Sequence, residues 1–330
     1  MTISRRNFIL GATAVAGTAA LDAAAEEAKA AEHDENLVLI LSDIHVCGGK
    51  NPYFDMLTPF LRQLDEILAL RPLPKRALVY GDVACLYGLD EDYRLAKKLL
   101  GRLEAAGISV TFTTGNHDRR SNMFAVWPEY EKRTLVPGRF VTRTSTPAAD
   151  FVLLDSLRGT DTRAENDAGP GGGALDEAQQ RWLAKELENL KRPTFFGAHH
   201  AMSELKVLGK PLKDLLTEHP LVPGYLHGHD HYWMPSNCAG DWRNRSPKKP
   251  LGAAGMRELC LPTTSNWGDI GYVLFRTDAR ISYATLVQND YCYPGPLPPE
   301  KRPAYWDAIR DEQNGRRLAF LMPGLGSFKG

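Results

Sequence analysis

Short apolar runs recur along the chain, and most stop abruptly at a polar residue. Residues 37–41 are apolar throughout and end in Ser42-Asp43-Ile44-His45. Runs of this length bounded by polar residues predict buried strands. Residues 77–80, 108–113, 151–154, 194–198 and 221–226 repeat the pattern. Between them the period changes. Residues 55–70 place Leu57, Phe60, Leu61, Leu64, Ile67 and Leu68 on one helical face, with Pro72 and Pro74 just beyond. Residues 93–106 read as a helix stopped by Gly107, and residues 175–190 as an amphipathic one with Leu175, Ala178, Trp182 and Leu183 inward. This order predicts a mostly parallel sheet under helices. Residues 258–261, 271–276 and 281–287 follow with no helix between them and are expected to pair antiparallel. From Asp290 the chain is Pro-rich, with one helix predicted near residues 305–312.

In parallel sheets ligands bind beyond the carboxyl ends of the strands. The residues found there are Asp43, His45, Asp82, Asn116, His117, His199, His229 and His231. Asp43 and His45 are two apart, so on extended chain they share a face and can reach one cation. Oxygen and imidazole donors without thiolate suit Mn, Fe, Zn, Co or Ni. The set is too large for one tetrahedral ion; two ions sharing a carboxylate would use it.

The ordered blocks Asp43-x-His45, Gly81-Asp82, Gly115-Asn116-His117-Asp118, the strand-end His199, and Gly228-His229-x-His231 resemble the calcineurin-like metallophosphoesterase superfamily. The resemblance runs from Leu37 to Val287. It implies an α/β fold of two packed mixed β-sheets flanked by helices, with two divalent or trivalent metal ions at one edge. By the same resemblance, Asp43, His45, Asp82 and His231 hold one ion. Asp82, Asn116, His199 and His229 hold the other, with Asp82 bridging. His117 is then no ligand but binds phosphate or protonates the leaving group, with Asp118 to orient it, and Asn116 also faces the substrate. One departure concerns the fifth block. The family often reads H-x-P where this chain has His199-His200-Ala201, so His200 stands beside His199 as an alternative ligand. The implied activity is hydrolysis of small phosphate esters by metal-activated hydroxide. The branch resembled is that of small phosphodiesterases; a phosphomonoesterase or pyrophosphatase on the same site, or a non-catalytic envelope binding protein, are the alternatives.

Composition adds limits. Of 330 residues, 43% are apolar and 24% charged, and Lys+Arg and Asp+Glu balance at 40 each, so bulk charge argues for no nucleic-acid partner. Arg5-Arg6 precede a short apolar, Ala/Gly-rich run, which resembles a twin-arginine signal and predicts export of a folded precursor to the periplasm or outside, through the twin-arginine machinery. The run is too short for a good membrane span, although a retained anchor is the alternative. The expected layout is residues 1–31 signal and linker, 37–290 metallophosphoesterase domain, and 291–330 Pro-rich extension. Cys47, Cys85, Cys238, Cys260 and Cys292 show no C-x-x-C spacing. Cys47 and Cys85 fall near the ligand blocks and read as packing thiols rather than ligands, while a pair formed after export could not be assigned. Arg243, Arg245, Lys248 and Lys249 read as a solvated loop. The Gly-rich residues 169–173 lack a G-K-[ST] ending and form no phosphate loop.

Overall fold

Residues 38–41 are all buried, yet their side chains serve two cores. Leu39 and Leu41 pack with Phe60, Leu64 and Ile67, whereas Val38 and Ile40 pack with Phe151, Phe195 and Leu226. Successive side chains of a strand point to opposite faces, so this strand lies between two apolar layers. That explains a continuous apolar run instead of an alternating one.

The computed structural model describes residues 32–48, 55–159, 172–236, 256–265, 267–293, 297 and 299–323. The expected signal segment, the four cationic residues from Arg243 to Lys249, and most of the Gly-rich loop lie outside them. Strand β1 (His33–Leu41) is followed by α1 (Leu57–Leu68), β2 (Leu73–Tyr80), α2 (Asp90–Ala105) and β3 (Ser109–Thr113). Two short helices, α3 (Arg120–Val126) and α4 (Tyr130–Arg133), lead to β4 (Thr142–Ser145) and β5 (Asp150–Leu153). Next come α5 (Glu177–Glu188), β6 (Thr194–Ala198), the small pair β7 (Lys206–Val207) and β8 (Lys210–Pro211), and α6 (Leu212–Thr217). Strands β9 (Gly224–His227), β10 (Met234–Ser236), β11 (Arg257–Cys260), β12 (Gly268–Arg276) and β13 (Ile281–Cys292), helix α7 (Tyr305–Gln313) and β14 (Arg317–Leu321) complete the chain.

Two six-stranded mixed sheets result, ordered β14-β13-β12-β1-β2-β3 and β10-β11-β9-β6-β5-β4. Helices α1 and α2 cover the outer face of the first sheet through Phe60, Leu64, Tyr93 and Leu103. Helices α5 and α6 cover the second through Leu183, Leu187, Leu212 and Leu216. Between the sheets Phe151 stacks on Phe195 at 5.1 Å, and Phe275 meets Phe195 edge-on at 4.9 Å. Complete burial of such a ring is worth about 1.5–3 kcal/mol, so this aromatic layer is a main source of sheet-to-sheet cohesion. The sheets approach closely at Gly197, where a Cβ would lie 2.4 Å from both the Leu226 carbonyl oxygen and the Tyr80 ring. The expected sandwich of two packed mixed sheets flanked by helices is therefore the observed architecture.

One expectation changes. Of the three late strands only β12 and β13 pair antiparallel with each other; β11 runs parallel to β9 in the other sheet. Its Leu259 belongs to the layer between the sheets, and the segment after it returns the chain to the first sheet. The Pro-rich tail also carries structure: β14 pairs with β13, adding Leu318 and Phe320 to the same layer, and β13 continues past residue 290.

Candidate metal centre

Five strands deliver the predicted donors to one edge of the sandwich. Asp43 and His45 follow β1, Asp82 follows β2, Asn116 and His117 follow β3, His199 follows β6, and His229 and His231 follow β9. Within the first sheet β1, β2 and β3 run parallel, and so do β6 and β9 in the second. Their carboxyl ends thus point the same way.

The donors gather around two foci. At the first, His231 Nε2 lies 3.1 Å from Asp43 Oδ1 and 3.3 Å from His45 Nε2. At the second, Asn116 Oδ1 lies 3.0 Å from both His199 Nε2 and His229 Nδ1, which are themselves 3.3 Å apart. Asp82 Oδ2 stands between, 3.7 Å from His45 Nε2 and 3.3 Å from His199 Nε2. The opposite nitrogens of the rings are anchored on carbonyl oxygens. His45 Nδ1 donates to Cys85, His199 Nδ1 to Tyr80 and His231 Nδ1 to Trp267, at 3.0–3.2 Å. A ring that donates through one nitrogen keeps the other as a lone-pair donor, the usual arrangement of ligating histidines. Imidazole nitrogens facing each other at 3.3 Å, with lone pairs converging, are what a bound cation would satisfy. The residues present fit divalent metal ions.

The electrostatics agree. Burial raises the Asp43 carboxyl, but His231 and His199 outweigh it and hold it below its ordinary value. Asp82 behaves likewise, held well below by His199 and His117. Burial opposes protonation of His199, yet Asp82 and Asp43 push it up to about 10. Burial drives His45 down to about 4 and His200 down to about 2. In the metal-free protein, protons balance two buried carboxylates that cations would otherwise neutralise.

The backbone is bent to make this possible. Asp43, His45, Asp82, His229 and His231 all have φ between 41° and 70°; among the described non-glycine residues only Leu208 joins them. Left-handed backbone at such residues is disfavoured by about 1–3 kcal/mol each and collects at functional sites. The motif glycines admit the carboxylates. A Cβ on Gly115 would lie 2.1 Å from Asp82 Oδ1, and one on Gly228 2.4 Å from Asp43 Oδ2.

Asp118 ties two site loops together. Its carboxylate accepts the Val83, Ala84 and Gly115 amides and the Tyr93 hydroxyl, tying the loop after β2 to the loop after β3. His117 is oriented by Leu86, whose carbonyl accepts its Nδ1–H at 3.0 Å, which leaves Nε2 4.0 Å from Asp82 Oδ2. Holding three backbone amides, the Asp118 carboxylate clamps the loops after β2 and β3 together. His200 packs behind the second focus. Its Nδ1 is 2.8 Å from Ser156 Oγ, its Nε2 is buried with no hydrogen-bond partner among the described residues, and its donor nitrogen falls within 4.8 Å of those of His199 and His229.

The reading of Cys47 and Cys85 as packing thiols is corrected: they form a disulfide, Cα to Cα 5.3 Å. An isolated parallel bridge between Val46 and Ala84 sets the two following residues side by side. That adjacency is tertiary, so spacing along the chain carried no sign of it. The bond joins the loop holding His45 to the loop holding Asp82. Sequence reasoning also missed Thr263, whose hydroxyl donates to the Asp43 carbonyl at 2.9 Å, and Trp267, the acceptor for His231. Neither sits in a block with a recognisable pattern.

Residues 37–233 match the family of calcineurin-like phosphoesterases. Among curated proteins none matches the chain. Solved structures that the chain matches include a protein of Thermus thermophilus, 13% identical, covering 74% of this chain and 99% of that one at a TM-score of 0.42. A predicted phosphoesterase of Streptococcus pneumoniae is 11% identical, covering 86% and 97% at 0.34. Zinc-complexed Vps29 of Entamoeba histolytica is 12% identical, covering 76% and 92% at 0.35.

At the second focus His199 Nε2 lies within 3.3 Å of Asn116 Oδ1, His229 Nδ1 and Asp82 Oδ2. His199→Ala should weaken metal binding by more than the roughly 10–100-fold typical of outer partners, as measured by metal titration, while His200→Ala stays within that range. The reverse order would transfer the ligand role to His200.

Proposed function

Because the chain belongs to the calcineurin-like phosphoesterase family, and is thereby a metal-dependent phosphoric ester hydrolase, we propose that it works with two ions and prefers phosphodiesters. The observation carrying the dinuclear reading is the pair of donor foci joined by Asp82, 3.7 Å from His45 and 3.3 Å from His199. Asp43, His45 and His231 would hold one ion and Asn116, His199 and His229 the other, with Asp82 touching both. When bound, such ions supply charge neutralisation at phosphorus and an activated water. The remaining work falls to the protein. Carbonyl anchors fix the imidazoles, and the Cys47–Cys85 bond fixes the two loops. His117 stands beside this arrangement with Nδ1 committed to Leu86 and Nε2 facing inward. Nε2 is therefore the atom that can give a proton to a departing oxygen or bind a phosphate oxygen.

The diester preference rests on the branch that the motif blocks resemble. The export reading rests on Arg5-Arg6, and the Cys47–Cys85 disulfide supports it, since such bonds persist in oxidising compartments.

Three outcomes are expected. With metal loading equal, an aryl phosphodiester should give a higher kcat/KM than the matching monoester; a monoester advantage of about tenfold, which is about 1.4 kcal/mol in the barrier, would reverse the assignment. His117→Ala should retain its metal and lose on the order of 10²–10⁴ in rate on an alkyl ester, but less on a nitrophenyl ester, whose oxygen leaves unprotonated. An equal loss on both would identify a phosphate-binding role instead. Replacing Arg5 and Arg6 by Lys should hold the precursor in the cytoplasm; undiminished processing of that variant would contradict twin-arginine export.

A further inference from the structure

Three aromatic rings continue outward from the metal centre. Trp267 meets His231 edge-on with centroids 5.0 Å apart, and Tyr293 stacks on Trp267 at 6.2 Å with the planes inclined by 24°. Tyr232 stands against Tyr293 at 6.4 Å and 55°, and is packed from behind by the apolar group of Ile270, Tyr291 and Trp306. Trp267 and Tyr293 are substantially exposed, at 37% and 48%.

Large apolar rings left in water next to a reactive centre call for a ligand more than scattered surface residues do. Their placement is also firm. The Trp267 carbonyl accepts His231 Nδ1–H at 3.0 Å, and Gly268 follows at φ 97°, where a Cβ would lie 2.2 Å from the His231 carbonyl oxygen. The turn presenting Trp267 is thus built onto the histidine assigned to the first focus. Whatever anchors a phosphoryl group there has its organic substituent within reach of the rings.

Ring inclination narrows the chemistry. A cage for an ammonium group surrounds the cation with ring faces. Trp267 and Tyr293 are nearly parallel instead and form a terrace, with Tyr232 as an inclined wall. A terrace suits offset stacking of one flat ring. We propose that Trp267, Tyr293 and Tyr232 form a subsite for a planar aromatic substituent of the phosphoester, the base of a nucleotide or an aryl group. This rests on the metal centre binding the phosphoryl group, as set out above.

The test uses phenylphosphonate and methylphosphonate as competitive inhibitors of the metal-loaded enzyme, at a pH where both are dianions. They carry the same head group, so the ratio of their inhibition constants isolates the ring. The wild type should bind phenylphosphonate about tenfold more tightly, as one stacking contact provides. Trp267→Ala should bring the ratio close to one, Trp267→Phe should restore most of it, and Tyr293→Ala should lower it in part. A wild-type ratio near one, or an unchanged ratio in Trp267→Ala, overturns the subsite while leaving the phosphoesterase reading intact. Failure of both phosphonates to inhibit would overturn the metal-centred reading together with the subsite.

Discussion

Two carboxylates buried at strand ends set the terms for this structure. Asp43 and Asp82 are almost wholly removed from water, and an isolated buried carboxylate is held only with a compensating charge. Five imidazoles and an amide oxygen surround them, arriving on loops from both sheets. Four of the imidazoles are aimed by backbone carbonyls. The sandwich matters to function because it brings the ends of β1, β2, β3, β6 and β9 together around that charge.

The cost is carried by the backbone and returned by the core. Left-handed conformations at Asp43, His45, Asp82, His229 and His231 oppose folding locally. Against them stand the aromatic layer between the sheets, the Asp118 clamp on three amides, and the Cys47–Cys85 bond across the two loops. A disulfide of this loop length typically contributes about 2–4 kcal/mol, comparable to the strain at one or two of those residues.

Much of this was legible because strands buried on both faces leave strong apolar runs. The strand at Thr194–Ala198 has the bounds the sequence indicated, and the predicted donors converge because each follows such a run. What escaped has physical reasons. The edge strands β4, β10 and β14 are too short for a periodic signal to stand out. The partner of β11 depended on a crossing between sheets that local pattern cannot encode. The Leu86 carbonyl that accepts the His117 Nδ1–H lies 31 residues away along the chain, a contact made only by tertiary packing.

The central claim is that Asp82 joins two metal sites into one centre, and counting bound metal tests it most directly. Elemental analysis of dialysed, metal-loaded wild type should give about two equivalents per chain, as two-metal chemistry requires. Asp82→Ala should lose affinity for both ions together, because one carboxylate serves both foci. A variant that kept both equivalents, or that lost one and held the other with wild-type affinity, would contradict the bridging role.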